Sequence, residues 1–306
     1  MKVLVATEKP FAAVAVEGIR REIESAGMTL DLLEKYTGKE QLLAAVADAD
    51  ALIVRSDKVD AEVLGAAKML KIVVRAGAGY DNVDLAVAKA RGVVVENTPG
   101  QNSNAVAELV FGMLVMAVRN AYDGTSGTEL KGKHLGIHAF GQVGRNVARI
   151  AKGFGMEVSA LDPFCPDEVM TAAGVTPVHS LEELYGQNDV VSLHIPATPE
   201  TRSSVNFDLI SRMPKNGVLV NTARKEVIDE DGLARALELR PDLKYVADVK
   251  PDNAAELTER FGSRVFFTPK KMGAQTAEAN INAGLAAARQ TVAFLRDGDT
   301  RYQVNR

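Results

Sequence analysis

His134-Leu135-Gly136-Ile137-His138-Ala139-Phe140-Gly141-Gln142-Val143-Gly144-Arg145 is the stretch whose reading decides the fold. The apolar run ending at Ala139 reads as a strand, and the residues from Gly141 onward read as a tight turn opening a helix that continues through Ala151. A helix start of this kind offers free backbone N–H groups and the positive end of the helix dipole, which suits a pyrophosphate. Its spacing is Ala139-x-Gly141-x-x-Gly144, so alanine replaces the first glycine of the dinucleotide fingerprint. Alanine is tolerable there if the backbone keeps a negative φ. The next strand, Glu157 to Leu161, is followed by Asp162, which lies about 20 residues past the loop. A carboxylate there would accept the adenosine ribose hydroxyls and repel a 2′-phosphate. Loop and acid together predict NAD as cofactor, held by Gly141, Gln142, Val143, Gly144 and Asp162.

Outward from this unit, short β-branched runs alternate with helical patterns along nearly the whole chain, which predicts parallel sheets with crossover helices. Ten strands are expected: Val3–Thr7, Ala51–Arg55, Lys71–Ala76, Val93–Asn97, His134–Ala139, Glu157–Leu161, Asp189–Ile195, Gly217–Thr222, Tyr245–Val249 and Val265–Thr268. That is more than one open sheet comfortably holds, so two sheets are expected. The turn-rich passage Asn97-Thr98-Pro99-Gly100-Gln101-Asn102-Ser103 marks a boundary. A long helix from Thr276 to Leu295 follows the last strand and is expected to pack back on the first domain. The predicted class is α/β with two doubly wound parallel-sheet domains. Residues 1–97 with 273–306 form a discontinuous flavodoxin-like substrate domain, and 98–272 form a Rossmann NAD domain.

The 306 residues are 46% hydrophobic and 25% charged with a net charge of −4, which gives no reason to expect nucleic acid or an anionic membrane as partner. The lone cysteine, Cys165, cannot form an intrachain disulfide. The opening apolar run is too short for a signal-peptide core, so a cytoplasmic location is expected. Ala105 to Val118 is the most apolar stretch, but it is interrupted by Glu108 and falls short of a membrane span.

In order along the chain stand Arg75-Ala76-Gly77-Ala78-Gly79-Tyr80-Asp81-Asn82-Val83-Asp84, Thr98-Pro99-Gly100-Gln101-Asn102-Ser103, the nucleotide loop, His194-Ile195-Pro196, Asn221-Thr222-Ala223-Arg224, Asp248-Val249 and Gly273-Ala274-Gln275-Thr276. In this order they resemble the D-2-hydroxyacid dehydrogenase family over essentially the full length, and within it the branch that oxidises 3-phospho-D-glycerate. The resemblance implies hydride transfer to NAD and a small anionic substrate. It places the catalytic arginine at Arg224, where a guanidinium would grip the substrate carboxylate in a bidentate fork and polarise the adjacent oxygen. Gly77, Ala78, Gly79 and Asn102 would meet the substrate, and Arg55 and Arg75 its phosphate, with Lys58 nearby. His194, Thr222, Ala223, Asp248, Gly273 and Ala274 fall on the cofactor side, with Asp248 facing the nicotinamide carboxamide. A homodimer is implied, with Ala105–Arg119 at its interface, although a helix buried inside one subunit would account for that stretch equally. The connection from Ala121 to Lys133 is shorter than relatives usually carry. With no regulatory domain after Arg306, control by a C-terminal effector module is not expected.

Two departures bear on the chemistry. The family usually carries a glutamate soon after its Asp-Val pair and a histidine after its Thr-Pro. Here Asn253 stands at the first position and Thr268-Pro269-Lys270-Lys271-Met272-Gly273 covers the second; the four histidines His134, His138, His179 and His194 lie elsewhere. Either the chain has lost catalysis and responds to NAD as a regulator, or a lysine is the acid/base. The double loss favours lysine, because the carboxylate that helps a histidine take a proton would hold an ammonium's proton too tightly. Counting back from Gly273 selects Lys271, and counting forward from Pro269 selects Lys270; Lys271 is preferred because the C-terminal match is longer. The expected reaction is oxidation of 3-phospho-D-glycerate to 3-phosphohydroxypyruvate, opening the phosphorylated route to serine. A glyoxylate or hydroxypyruvate reductase, which would not need Arg55 and Arg75, is the alternative within the class.

Overall fold

A computed structural model describes residues 1–306. The chain falls into two compact units, Met1–Asn102 with Thr276–Arg306, and Ser103–Gln275. The seams lie between 102 and 103 and between 275 and 276, a few residues beyond the 97/98 and 272/273 divisions read from the turn residues.

The first unit holds five strands, β1 (Lys2–Thr7), β2 (Thr29–Glu34), β3 (Ala51–Val54), β4 (Ile72–Arg75) and β5 (Val94–Asn97). All pair in parallel, in the order β2-β1-β3-β4-β5. This is the flavodoxin-like order, with its switch point between β1 and β3. Side-chain alternation divides the core. Val3 and Val5 join Ile53, Ile72 and Val74 on one face, under the helices Ala13–Ser25 and Ala277–Asp297. Leu4 and Ala6 join Leu52, Val73 and Val95 on the other. Burial on both faces is why these strands read as apolar runs. The strand β2 is absent from the sequence-based expectation. It is the sheet's edge, and its Thr29, Asp31 and Glu34 are exposed, so no apolar run betrays it. The long helix starts at Ala277, where the Thr276 hydroxyl accepts the Ala279 N–H at 3.1 Å and caps it.

The second unit holds β6 (His134–His138), β7 (Glu157–Leu161), β8 (Thr176–Pro177), β9 (Val190–Leu193), β10 (Val218–Asn221), β11 (Lys244–Ala247) and β12 (Val265–Phe267). Again every pair is parallel, in the order β12-β11-β10-β9-β6-β7-β8. Strand order reverses between β6 and β9, the crevice where open α/β sheets bind ligands. The two-residue edge strand β8 also escaped the sequence reading, being too short to show a period. The helix Ser103–Val118 buries Ala107, Val110, Phe111, Met113, Leu114 and Ala117 within this unit's own core. Most of its apolar character is therefore accounted for without a partner chain. Lys244 Nζ donates to the Ala117 carbonyl at 2.6 Å and to Asn120 Oδ1 at 2.8 Å, a cation at the helix's negative end. No helix is long and apolar enough to cross a membrane.

Candidate functional site

Parallel pairing sends the segment after each strand of the second unit to one edge of the sheet. Along that edge, in spatial order, lie Lys270 and Lys271 after β12, Asp248 after β11, Thr222 to Arg224 after β10, His194 after β9 and the glycine loop after β6. Residues from Gly141 to Lys271 thus share one edge of the sheet.

At the glycine loop the structure corrects one expectation. Ala139 has φ +82°, not the negative value that would make alanine harmless. A side chain in this left-handed region costs roughly 1–2 kcal/mol. Tertiary hydrogen bonds hold it there: the Ala139 N–H donates to the Leu161 carbonyl at 2.9 Å, and the Phe140 N–H to Asp162 Oδ2 at 2.8 Å. A Cβ on Gly144 would lie 2.4 Å from the Ala139 carbonyl oxygen, so only glycine lets the helix approach the strand this closely. A Cβ on Gly141 would meet nothing within 4 Å, so the chain leaves open space there. Gly141 and Gln142 are exposed, and no side chain caps the helix Gln142–Gly153 that they open. An open cradle at an uncapped helix start fits a pyrophosphate.

Asp162 has a structural duty besides the one foreseen. Its carboxylate accepts from the N–H groups of Phe140 and, at 2.9 Å, Phe164, so it ties the glycine loop to the segment after β7. Lone pairs remain on each oxygen for a ribose hydroxyl. His194 is half-buried, with Nε2 3.0 Å from Ser192 Oγ and Nδ1 3.5 Å from Thr222 Oγ1. Burial, reinforced by neighbouring His138, pushes the His194 imidazole down to about 3. Burial likewise pushes His138 down to about 4, with Asp162 opposing. Both rings are neutral at pH 7, so His194 would serve a cofactor as a hydrogen-bonding group and not as a cation.

Asn221, which closes β10, shapes the arginine loop. Its Nδ2 donates to the Arg224 carbonyl at 3.0 Å and its Oδ1 accepts the Ala223 N–H at 2.9 Å. Arg224 is half-buried, with Nη1 donating to the Ala223 carbonyl at 3.0 Å. Asn221 was visible only as a landmark letter in the sequence, because its role depends on where its amide points.

Asp248 is 1% exposed. Its Oδ1 accepts the Met272 N–H at 2.6 Å and the Thr268 hydroxyl at 2.9 Å, and its Oδ2 accepts the Gly273 N–H at 2.8 Å. The carboxylate therefore pins both ends of the turn that carries Lys270 and Lys271, which are exposed. A Cβ on Gly273 would come within 3.0 Å of Asp248 Oδ2. Asn253, at the glutamate position of the resemblance, turns toward Glu230: its N–H donates to Glu230 Oε2 at 3.1 Å and its Nδ2 approaches the Glu230 carbonyl at 3.5 Å. Lys225 and Asp252 pair at 2.5 Å beside it.

In the first unit, Arg55 and Arg75 lie at the carboxyl ends of adjacent strands, with Val54 opposite Arg75. Arg55 is largely committed. Nη1 donates to the carbonyls of Lys9 (2.9 Å) and Pro10 (3.1 Å), Nη2 bonds Asn280 Oδ1, and the guanidinium lies 5.1 Å from the Phe11 ring centroid. Arg75 lies across Gly77, whose φ of +144° and missing side chain give the guanidinium its place. The Thr98 N–H donates to the Gly77 carbonyl at 3.0 Å, and Asn97 Nδ2 to the Ala78 carbonyl at 2.6 Å, which fix the Gly77–Gly79 loop. Lys58 is exposed and Asn102 half-buried. No group of three or more His, Cys, Asp or Glu side chains is placed to hold a metal ion.

The family model for the D-isomer-specific 2-hydroxyacid dehydrogenase NAD-binding domain matches residues 111–269, and the chain belongs to that family. A solved 3-phosphoglycerate dehydrogenase of Entamoeba histolytica with NAD+ bound is 46% identical, with a TM-score of 0.88 over 100% of this chain and 99% of the other. A D-3-phosphoglycerate dehydrogenase of Methanocaldococcus jannaschii is 38% identical over 86% of this chain and 53% of its own length. A hydroxypyruvate reductase of Thermotoga maritima is 34% identical over 84% of this chain and 88% of its own. The chain spans about half the length of most of the curated relatives it matches.

Proposed function

We propose that the chain oxidises 3-phospho-D-glycerate to 3-phosphohydroxypyruvate with NAD, the reaction that opens phosphorylated serine synthesis. The observation that carries the reading is the ordered edge of the second sheet, where the glycine loop, His194, Arg224, Asp248 and the lysine turn follow five neighbouring strands. Gly141 to Gly144 and Asp162 would hold the nucleotide, with His194, Thr222, Ala223, Gly273 and Ala274 on the nicotinamide side. NAD supplies the acceptor for the hydride that leaves C2 of the substrate. Arg224 holds the carboxylate and steadies charge growing on the C2 oxygen. Lys271, or Lys270 beside it, takes the hydroxyl proton on Nζ. Gly77 to Gly79 and Asn102 receive the rest of the acid, and Arg75 its phosphate. A cytoplasmic homodimer is the setting we propose.

A hydroxypyruvate or glyoxylate reductase is the second reading. It is favoured by the commitment of Arg55 to Lys9, Pro10 and Asn280, which leaves less of its guanidinium for a phosphate. NADH formation with 3-phosphoglycerate against unphosphorylated 2-hydroxy acids, with the keto product trapped, separates the two. Faster turnover of the unphosphorylated acids would overturn the phosphate reading. NAD binding without turnover of any acid would make the chain a non-catalytic regulator.

A further inference from the structure

Three polar side chains form a line from the interior of the second sheet to its carboxyl edge, all within the second unit. Ser192 lies on the central strand β9, opposite Ile137 of β6 on one side and Val220 of β10 on the other. It is fully buried, and its hydroxyl has one hydrogen-bonding partner, His194 Nε2 at 3.0 Å. His194 leaves β9 at the sheet edge, where its Nδ1 lies 3.5 Å from the hydroxyl of Thr222. Thr222 follows β10, is 6% exposed, and its hydroxyl likewise has this one partner. The neighbouring imidazole, His138, makes its contact elsewhere, with Nδ1 3.4 Å from the Tyr185 hydroxyl.

A neutral imidazole carries one N–H, and which nitrogen carries it is set by the hydrogen bond that the other makes. The line can run in either direction. If His194 Nε2–H donated to Ser192, the Ser192 hydroxyl hydrogen would be left in the core with no acceptor, at the full desolvation cost of a buried donor. If Ser192 donates to Nε2 instead, only lone pairs on its oxygen go unused, which a protein interior tolerates better. The hydrogen of His194 then sits on Nδ1, the reverse of the form that free histidine favours. Nδ1–H has the Thr222 oxygen as its acceptor, and the Thr222 hydroxyl hydrogen is left over, because the chain offers it no other partner. Thr222 therefore stands at the sheet edge as a donor that a ligand oxygen would complete. At 3.5 Å its link to His194 is long, and a ligand drawing on the Thr222 hydroxyl would tighten it, since hydrogen bonds in a chain polarise one another.

We propose that Ser192 is a positioning residue for NAD: by donating to His194 Nε2 it fixes the Nδ1–H tautomer, and so presents the Thr222 hydroxyl as a donor to an oxygen of the bound dinucleotide. Though this rests on the placement of His194 and Thr222 beside the nicotinamide, spectroscopy and binding test it without turnover. Long-range proton–nitrogen correlation spectra of the isotope-labelled full chain, with the His194 signals assigned from a His194→Asn variant, should show the His194 hydrogen on Nδ1 at pH 7. A hydrogen on Nε2 would overturn the proposal. NAD affinity, measured by calorimetry, is the second readout. Thr222→Val keeps the side-chain shape without the hydroxyl and should bind NAD about tenfold more weakly, a loss of roughly 1.4 kcal/mol. Ser192→Ala should weaken NAD binding about three- to fivefold in the wild-type background and less than about 1.5-fold in the Thr222→Val background, since its effect passes through Thr222. Equal losses in both backgrounds would make Ser192 a packing residue and overturn the relay, as would unchanged affinity in either single variant. The proposed reaction can fail separately: a chain that binds NAD but oxidises no 3-phosphoglycerate would still show the tautomer and the coupled losses.

Discussion

Replacing Asp248 with asparagine should loosen the lysine turn while leaving the sheet beneath it in place. The carboxylate accepts from Met272 N–H, Gly273 N–H and the Thr268 hydroxyl at 2.6, 2.8 and 2.9 Å. Hydrogen bonds to a charged acceptor contribute about 1.5–3 kcal/mol each. An asparagine keeps one oxygen and turns an NH2 toward one of the two backbone donors, so it loses at least one such bond and sets donor against donor. With partial relaxation the local cost is about 2–4 kcal/mol, which corresponds to roughly 30- to 1,000-fold faster opening. Amide hydrogen exchange reads this directly. Met272 and Gly273 should lose protection by that factor, while Tyr245 and Val246 in the adjacent strand β11 keep theirs. If the turn carries the acid/base, turnover should fall by more than the affinity for NAD. Unchanged exchange at Met272 and Gly273 in a folded variant would refute the assignment of Asp248 as the anchor.

The lysines separate by single substitution: Lys271→Ala should reduce turnover at least about 100-fold, as loss of a general acid/base does, with Lys270→Ala much milder. Near-normal rates in both variants would remove lysine from the mechanism. Gly144→Ala places a Cβ 2.4 Å from the Ala139 carbonyl oxygen, so it should cost about 1–3 kcal/mol in urea denaturation and weaken NAD binding. His138 and His194, held down to about 4 and about 3, are neutral in the folded chain and take protons in the unfolded chain near 6.5. Their stabilising contribution is complete above about pH 6.5 and is lost as pH falls toward 4, at up to about 1.4 kcal/mol per pH unit for each ring. Denaturation midpoints measured from pH 7 to 4.5 should show this loss, and a His194→Asn variant should show a shallower slope; an identical slope would sink the attribution.

Much of the fold was legible because parallel strands covered on both faces must be apolar along their whole length. Ala51–Val54 and Val218–Asn221 announce themselves in this way. The missed strands β2 and β8 sit at sheet edges, where one is half solvated and the other has two residues. The glycine loop was legible as well, because close approach of backbone to phosphate and of helix to strand leaves few choices of residue. The conformation of Ala139 was not, since its positive φ is imposed by bonds to Leu161 and through Phe140 to Asp162, some 20 residues away.

The sequence by itself determined two parallel α/β layers, a dinucleotide loop and the absence of a histidine from the turn after Pro269, because each is written in local residue pattern. Tertiary structure alone decided what the polar groups do. Asp248 became the anchor of the lysine turn, Arg55 was drawn into bonds with Lys9, Pro10 and Asn280, and Glu96 was buried in β5 with no donor for its Oε1. The physical reason is common to all three. A backbone period follows from neighbours a few residues away, whereas the partner of a charged side chain is set by which distant segments the sheet order brings to its side.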